Sequence, residues 1–275
     1  MTTSIHTNTS AMIALQNLNR TNDQLASTQS RVNTGLKVQG AKDNAAVWAV
    51  AQGQRADRGS LEAVTTSLNR ATSIADVSLA AGEQISDILV ELKQKATAAA
   101  DPSATAAMRT SYNDEFQSLL SSIQSFADNA VFDGSNILDG TATTALNFLA
   151  SADASETISL DRQNLTLAGL SLTGTSLTSE ANATAALTAV NAAIATSSSR
   201  LAELGAQAKQ IERHTTYVGK LSDALEAGIG NLVDADMAKE SARLTALQVQ
   251  QQLGVQALSI ANQNSQLVLK LFGAG

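Results

Sequence analysis

The chain has 275 residues, of which 44% are hydrophobic and only 3% aromatic, with one proline, no cysteine and a formal charge of −7. The lack of cysteine excludes disulfides, thiolate metal sites and cysteine nucleophiles, and the negative charge argues against nucleic acid as the main partner. The length suggests about two domains, and the scarcity of proline permits long uninterrupted helices.

The first predicted helix begins near Ser10 and ends at Asn33-Thr34-Gly35, where glycine suits a left-handed cap. Its apolar residues recur at helical spacing and form one stripe. They are Met12, Leu15, Leu18, Leu25 and Val32.

Two further helices are predicted over residues 43–100 and 104–129. The first of them ends at Asp101-Pro102, because the residue before proline is disfavoured in the α region. A helix of that length extends roughly 80 Å, which indicates a rod. Asp133-Gly134 predicts a tight turn.

Residues 141–200 are rich in serine and threonine and poor in charge. Three short apolar runs, at 146–149, 158–160 and 165–167, predict strands. We therefore expect a small β-rich excursion that is exposed and tolerant of change.

Helix is predicted again over residues 180–232 and 236–271, with a bend between them at Gly228-Ile229-Gly230. In the final helix Ala246, Leu253, Ile260 and Leu267 repeat every seven residues, which is coiled-coil spacing. Its other positions are mostly uncharged polar residues, which suit a helix enclosed by neighbours.

The predicted fold is mainly α, an elongated antiparallel helical bundle or coiled-coil rod with paired N- and C-terminal helices and a small β-rich excursion. The terminal apolar stripes have two interpretations: an intramolecular coiled coil, or burial against other subunits, as in a filament protomer. The second predicts a polymerisation interface. Its residues are Leu15, Leu18, Leu25, Val32, Leu244, Leu253, Leu258, Ile260, Leu267 and Leu271.

The sequence predicts neither catalysis nor a cofactor. His6 and His214 are isolated, so neither a metal site nor a catalytic triad is supported. No apolar stretch is long enough to span a bilayer, so membrane insertion is not expected. The N-terminus does not have the pattern of a cleavable signal peptide.

Several segments resemble bacterial flagellins, in the order that the family has them. The two longest lie near the C-terminus, and shorter ones lie in the first half of the chain. The segments are 231–244, 251–263, Ile5-His6-Thr7-Asn8, Asn17-Leu18-Asn19, 31–38, 41–46 and Phe132-Asp133-Gly134. The short middle region is similar to the compact alphaproteobacterial type.

The resemblance implies an inner core formed by residues 1–40 and 233–275, and a rod domain formed by 41–140 and 181–232. It implies that residues 141–180 are a variable surface region. It also implies a homopolymer, possibly mixed with other flagellins, that forms the extracellular filament. Export through the type III apparatus without a cleaved signal, an export chaperone, and contacts with cap and hook–filament junction proteins are expected on the same basis.

Two finer expectations come from the resemblance. Val90 stands where receptor-activating flagellins carry arginine, so weak or no recognition by Toll-like receptor 5 is expected. The Ser/Thr-rich region is a candidate for O-glycosylation, with plain turn and strand chemistry as the alternative. The candidates are Thr143, Thr157, Ser171, Thr173, Thr175, Ser176 and Thr178.

The alternatives are a hook–filament junction protein with the same terminal helices, and an amphipathic protein that coats granules or membranes. The coating protein requires basic residues on the polar face of the final helix, which has almost none. The sequence does not support an enzyme, because it contains no set of residues arranged for catalysis. A chemoreceptor-like coiled coil requires a membrane span or charged heptads.

Overall fold

A computed structural model describes residues 8–272, with side chains up to residue 263. In these residues the chain forms helices α1 (Thr9–Thr34), α2 (Ala45–Ala99), α3 (Ala106–Asn129), α4 (Glu180–Val233) and α5 (Met237–Phe272). Two antiparallel hairpins pair β1 (Val131–Phe132) with β2 (Ser135–Asn136), and β3 (Leu146–Leu149) with β4 (Thr157–Leu160). The predicted mainly α fold, with paired terminal helices and a small β-rich excursion, is confirmed.

The chain divides into two compact units. The first comprises the residues up to Arg55 and those from Leu225 onward, and the second comprises Ala56–Ala224. In the first unit Val38, Ala51, Ile229 and Val233 form a small buried core with Trp48 packed against it. An isolated β-bridge between Leu36 and Asp234 joins the segment after α1 to the loop before α5.

The predicted cap at the end of α1 is present. Gly35 has φ +72°, and its amide donates to the Arg31 carbonyl at 2.9 Å. At the other end of α1, Asn8 Oδ1 accepts from the Ala11 amide at 3.0 Å. These caps satisfy backbone groups that a helix leaves unpaired at its ends.

The predicted bend at Gly228-Ile229-Gly230 is wrong, because α4 continues without a break to Val233. The chain turns instead at 234–236, where the Asp234 amide still donates to the Gly230 carbonyl. Asp236 Oδ1 then accepts from the Ala238 and Lys239 amides, and this N-cap begins α5.

In the second unit the buried residues of α2 and α4 recur at alternating spacings of three and four residues, as in coiled coils. On α2 they include Leu61, Val64, Leu68 and Ala71. A Cβ atom added at Gly82 of α2 meets Leu201 Cδ2 of α4 at 2.3 Å, so the two helices pack closely there.

The β-rich segment is only partly as predicted. The runs at 146–149 and 158–160 form β3 and β4, and the first of them is bound to α2 through Ser67 Oγ, which accepts from the Leu149 amide. The run at 165–167 is not a strand, because the chain turns from Thr166 onward, where the Leu170 amide donates to the Thr166 carbonyl at 2.9 Å. Leu165 and Leu172 are fully buried, so the segment is partly core and not wholly exposed.

Candidate assembly interface on the terminal helices

Helices α1 and α5 pack antiparallel. Three polar contacts run along the pair: Asn8 Nδ2 to the Ala261 carbonyl at 2.9 Å, Gln251 Nε2 to Asn22 Oδ1 at 2.8 Å, and Arg31 Nη1 to Glu240 Oε1 at 3.4 Å. Residue numbers rise along α1 as they fall along α5, which establishes the antiparallel direction.

The side chains of α5 that are buried or half-buried against α1 recur at alternating spacings of four and three residues, and we name them the seam stripe. They are Glu240, Leu244, Leu247, Gln251, Gly254, Leu258 and Ala261. Leu247 and Ala261 are buried, and a Cβ atom added at Gly254 lies 3.2 Å from Leu18 Cδ1 of α1. On α1, Leu25 and Thr28 are buried in the same face.

Large apolar side chains remain exposed around the pair. Residues 244–263 of α5 and 9–19 of α1 contain no charged side chain. Seven large apolar side chains in or beside these stretches are each between 47% and 61% accessible, and together they concentrate exposed apolar surface on the terminal pair. We name this set the outer side chains; they are Met12, Ile13, Leu15, Val249, Leu253, Val255 and Ile260.

Some of the predicted interface residues lie in the contact between α1 and α5, and others are among the outer side chains. Leu25 is buried within the pair, and Leu18, Val32, Leu244 and Leu258 are half-buried. Leu15, Leu253 and Ile260 are among the outer side chains. Leu267 and Leu271 lie outside the residues whose side chains are described.

Four outer side chains were absent from the predicted interface set: Met12, Ile13, Val249 and Val255. Ile13 lies beside the predicted stripe of α1, and the two valines lie outside the predicted seven-residue repeat of α5. The signal that could have identified them is that they are large apolar residues in stretches without charge.

The glycosylation candidates differ in accessibility. Thr143, Thr157, Ser171, Thr173 and Thr178 are exposed. Thr175 and Ser176 are half-buried, and Thr175 Oγ1 donates to the Leu172 carbonyl at 2.8 Å. The hydroxyl of Thr175 is therefore already engaged within the loop.

The groups that sequence analysis considered for chemistry have structural partners. His214 Nε2 lies 2.7 Å from the Ala150 carbonyl oxygen, and its ring is tilted against Tyr217. His6 lies outside the described residues. Among the residues that the structure describes, no three His, Cys, Asp or Glu side chains converge as metal ligands, and no helix combines the length and apolarity of a membrane span.

Comparison with known proteins identifies the family. A family model of the bacterial flagellin N-terminal helical region matches residues 5–143, and one of the C-terminal helical region matches residues 187–272. The chain is 51% identical to flagellin FljM of Caulobacter vibrioides over 270 residues, covering 98% of both chains. It is 39% identical to a flagellin of Brucella melitensis, covering 98% of this chain and 99% of the relative.

A crystal structure of Bacillus cereus flagellin superposes with a TM-score of 0.51 at 25% identity, covering 56% of this chain and 88% of that one. The predicted resemblance, including its alphaproteobacterial character, is confirmed by these matches. The chain belongs to the bacterial flagellins and is a structural subunit of the flagellar filament, not an enzyme.

Proposed function

We propose that this flagellin polymerises by burying its outer side chains against neighbouring copies. The observation that carries the proposal is the exposure of Leu253 and Ile260, at 58% and 61%, on a helix face without charge. Such a face is unfavourable in water, and a self-complementary apolar surface is a common basis of homopolymers.

The size of the surface is sufficient for association. Burial of one leucine or isoleucine side chain contributes about 1.5–3 kcal/mol, and these seven residues are roughly half accessible. Covering them provides on the order of 10 kcal/mol per subunit before the entropy of ordering is subtracted. Each subunit contacts several neighbours in a helical polymer, so the contributions accumulate.

Substitution of Leu253 by aspartate tests this interface. We expect Leu253→Asp and Ile260→Asp to give folded chains that do not enter filaments, because a carboxylate cannot be buried there without a partner. Sedimentation after addition of precipitating salt and sheared seeds measures assembly, and circular dichroism checks the fold.

Leu253→Met is the matched control, since it keeps the volume and apolarity of the site. It should sediment as the unmodified chain does. Normal filaments from Leu253→Asp would contradict the proposed interface.

The filament to which this flagellin belongs is extracellular. Its proposed parts are an inner core of residues 1–40 and 233–275, an outer region of 41–140 and 181–232, and a surface region of 141–180. Export chaperone, type III apparatus, cap and hook–filament junction proteins are its proposed partners. Export without a cleaved signal predicts that filament subunits retain the residues before Ile5, and N-terminal sequencing of sheared filaments checks this.

Weak recognition by Toll-like receptor 5 is also proposed. Val90 is exposed on α2 between the buried Leu89 and Leu92, so it offers an apolar side chain where a cationic contact is needed. Reporter cells treated with purified monomer should respond weakly, and Val90→Arg should increase the response. A strong response to the unmodified chain would overturn the proposal.

O-glycosylation of the Ser/Thr-rich region is supported by the exposure of five candidate hydroxyl-bearing residues: Thr143, Thr157, Ser171, Thr173 and Thr178. The expected result is that native filament subunits exceed the sequence mass by whole sugar residues. An intact mass equal to that of the unmodified chain would exclude the modification.

A further inference from the structure

The methionines whose side chains the structure describes are all exposed to solvent. Met12, Met108 and Met237 are 57%, 47% and 43% accessible. The chain contains no cysteine, so methionine provides its only side-chain sulfur. Methionine sulfur is readily oxidised to a sulfoxide when an oxidant can reach it, and all three positions meet that condition.

Met12 differs from the other two methionines because it belongs to the outer side chains. It lies in a part of the terminal pair that two contacts delimit. At one end Asn8 Nδ2 donates to the Ala261 carbonyl, and at the other a Cβ atom added at Gly254 lies 3.2 Å from Leu18 Cδ1. Most of the outer side chains lie between these contacts: Met12, Ile13, Leu15, Val255 and Ile260.

We propose that Met12 is a modification site at which a peroxide determines whether the subunit can enter a filament. Hydrogen peroxide transfers one oxygen atom to the thioether. The S–O bond forms as the O–O bond breaks, so the sulfur is oxidised by two electrons and the peroxide is reduced to water. The products are methionine sulfoxide and water, and no further reactant is needed.

The sulfoxide at Met12 penalises the assembled state and not the single chain. Its oxygen is a hydrogen-bond acceptor, and burying such a group without a donor is unfavourable. The other six outer side chains are apolar and offer no donor. In the single chain Met12 is exposed, so water solvates the new oxygen and the pairing of α1 with α5 is retained.

The reactivity of Met12 should itself depend on assembly. If neighbouring copies cover the outer side chains, peroxide reaches this sulfur in the soluble chain but not in the filament. We expect the rate of oxidation of Met12, followed by peptide mass spectrometry, to be at least about tenfold lower in filaments than in soluble chains, since susceptibility follows exposure. Equal rates in the two states would contradict the proposal.

Assembly of oxidised chains tests the proposal directly. The soluble full chain is treated with hydrogen peroxide until Met12 is converted, the peroxide is destroyed with catalase, and precipitating salt and sheared seeds are added. We expect the chain concentration needed for assembly, measured by sedimentation, to rise at least about tenfold, with an unchanged circular dichroism spectrum. Methionine sulfoxide reductases should restore assembly.

Met12→Leu separates this site from oxidation elsewhere in the chain. It keeps a similar volume and apolarity without sulfur, so it should assemble both before and after peroxide treatment. Met108→Leu and Met237→Leu are the matched controls, since each removes an exposed sulfur that is not among the outer side chains. Peroxide should block their assembly as it blocks that of the unmodified chain.

Two results would overturn the role of Met12: normal assembly of the unmodified chain after full conversion of Met12, or loss of assembly in peroxide-treated Met12→Leu. The proposal rests on the proposed function, and the two fail differently. If Leu253→Asp is excluded from filaments while the chain oxidised at Met12 assembles normally, only the role of Met12 is wrong. If Leu253→Asp assembles normally, the proposed interface is wrong and the role of Met12 falls with it.

Discussion

Gly169 illustrates how a single small residue allows the irregular segment after β4 to fold back on itself. A Cβ atom added at Gly169 lies 2.4 Å from both the backbone oxygen and Oδ1 of Asn164. The same backbone oxygen accepts from the Arg200 guanidinium, which also donates to the Gly169 carbonyl at 3.2 Å. Neither the backbone nor the side chain of Asn164 can therefore move away cheaply.

We predict that Gly169→Ala lowers the free energy of unfolding of the second unit by roughly 1–3 kcal/mol, as expected for overpacking against backbone. Gly59→Ala is the matched control: this glycine lies in α2 with no atom near the added Cβ, so a gain of about 0.5–1 kcal/mol is expected. Urea unfolding of both variants measures the difference. Equal effects of the same sign would refute the argument.

At the residue scale, local signals were predictable and non-local ones were not. Gly35 and Asp133-Gly134 could be assigned from sequence, since a helix cap and a two-residue turn depend on adjacent residues; Asp133 and Gly134 have φ of +47° and +72°. The contact between Gly169 and Asn164 depends on where Arg200, more than thirty residues later, places its guanidinium.

At the scale of elements, the C-terminal end of α2 is stabilised by a side chain of the next helix, α3. Pro102 predicts the stop, but the exposed carbonyls there are satisfied by Arg109 of α3. Arg109 Nε donates to the Ala99 carbonyl at 2.9 Å, and Nη2 donates to the Asp101 carbonyl at 2.8 Å. This side chain is 13% exposed, so water cannot easily replace it.

Arg109→Met should lower the free energy of unfolding of the second unit by roughly 1–3 kcal/mol, because it removes two hydrogen bonds and leaves the partly buried Ala99 carbonyl unpaired. Arg109→Lys should not rescue it, since an ammonium group lacks the fork that reaches both oxygens.

The control is Arg70→Met, which removes a short but exposed ion pair, 2.8 Å from Asp133 Oδ2. It should cost less than about 1 kcal/mol. Thermal unfolding ranks the three variants, and a larger loss in Arg70→Met than in Arg109→Met would contradict this interpretation.

The boundaries of the helices could be predicted from periodicity, but which side of each helix is buried could not. Predicted and observed helix limits agree within two residues, since long apolar repeats and the Asp101-Pro102 stop carry the information. On α5, however, the predicted heptad of Leu253 and Ile260 is displaced by one residue from the seam stripe. The seven-residue repeat that contains Leu253 indicates a helical period, but Leu244, Leu247 and Leu258 form a second apolar row, and only the structure shows that this second row faces α1.

On the scale of the whole molecule, the second unit has a large, fully buried core, whereas the terminal pair leaves several of its large apolar side chains exposed. Leu68, Ile85, Leu89 and Phe116 are fully buried in the second unit, while Ile260 at the terminal pair is 61% exposed. A sequence can indicate that the terminal helices have more apolar residues than they can bury by themselves. It cannot indicate which of those residues another copy must cover. That division required the structure.

The central claim is that the outer side chains are covered by other copies in the filament, and a cryo-electron microscopy reconstruction of filaments grown from the unmodified chain tests it most directly. We predict that Leu253 and Ile260, both exposed in the single chain, are enclosed by neighbouring subunits along the wall of a tube. A reconstruction in which these side chains face solvent, with subunits joined only through residues 56–224, would contradict the account.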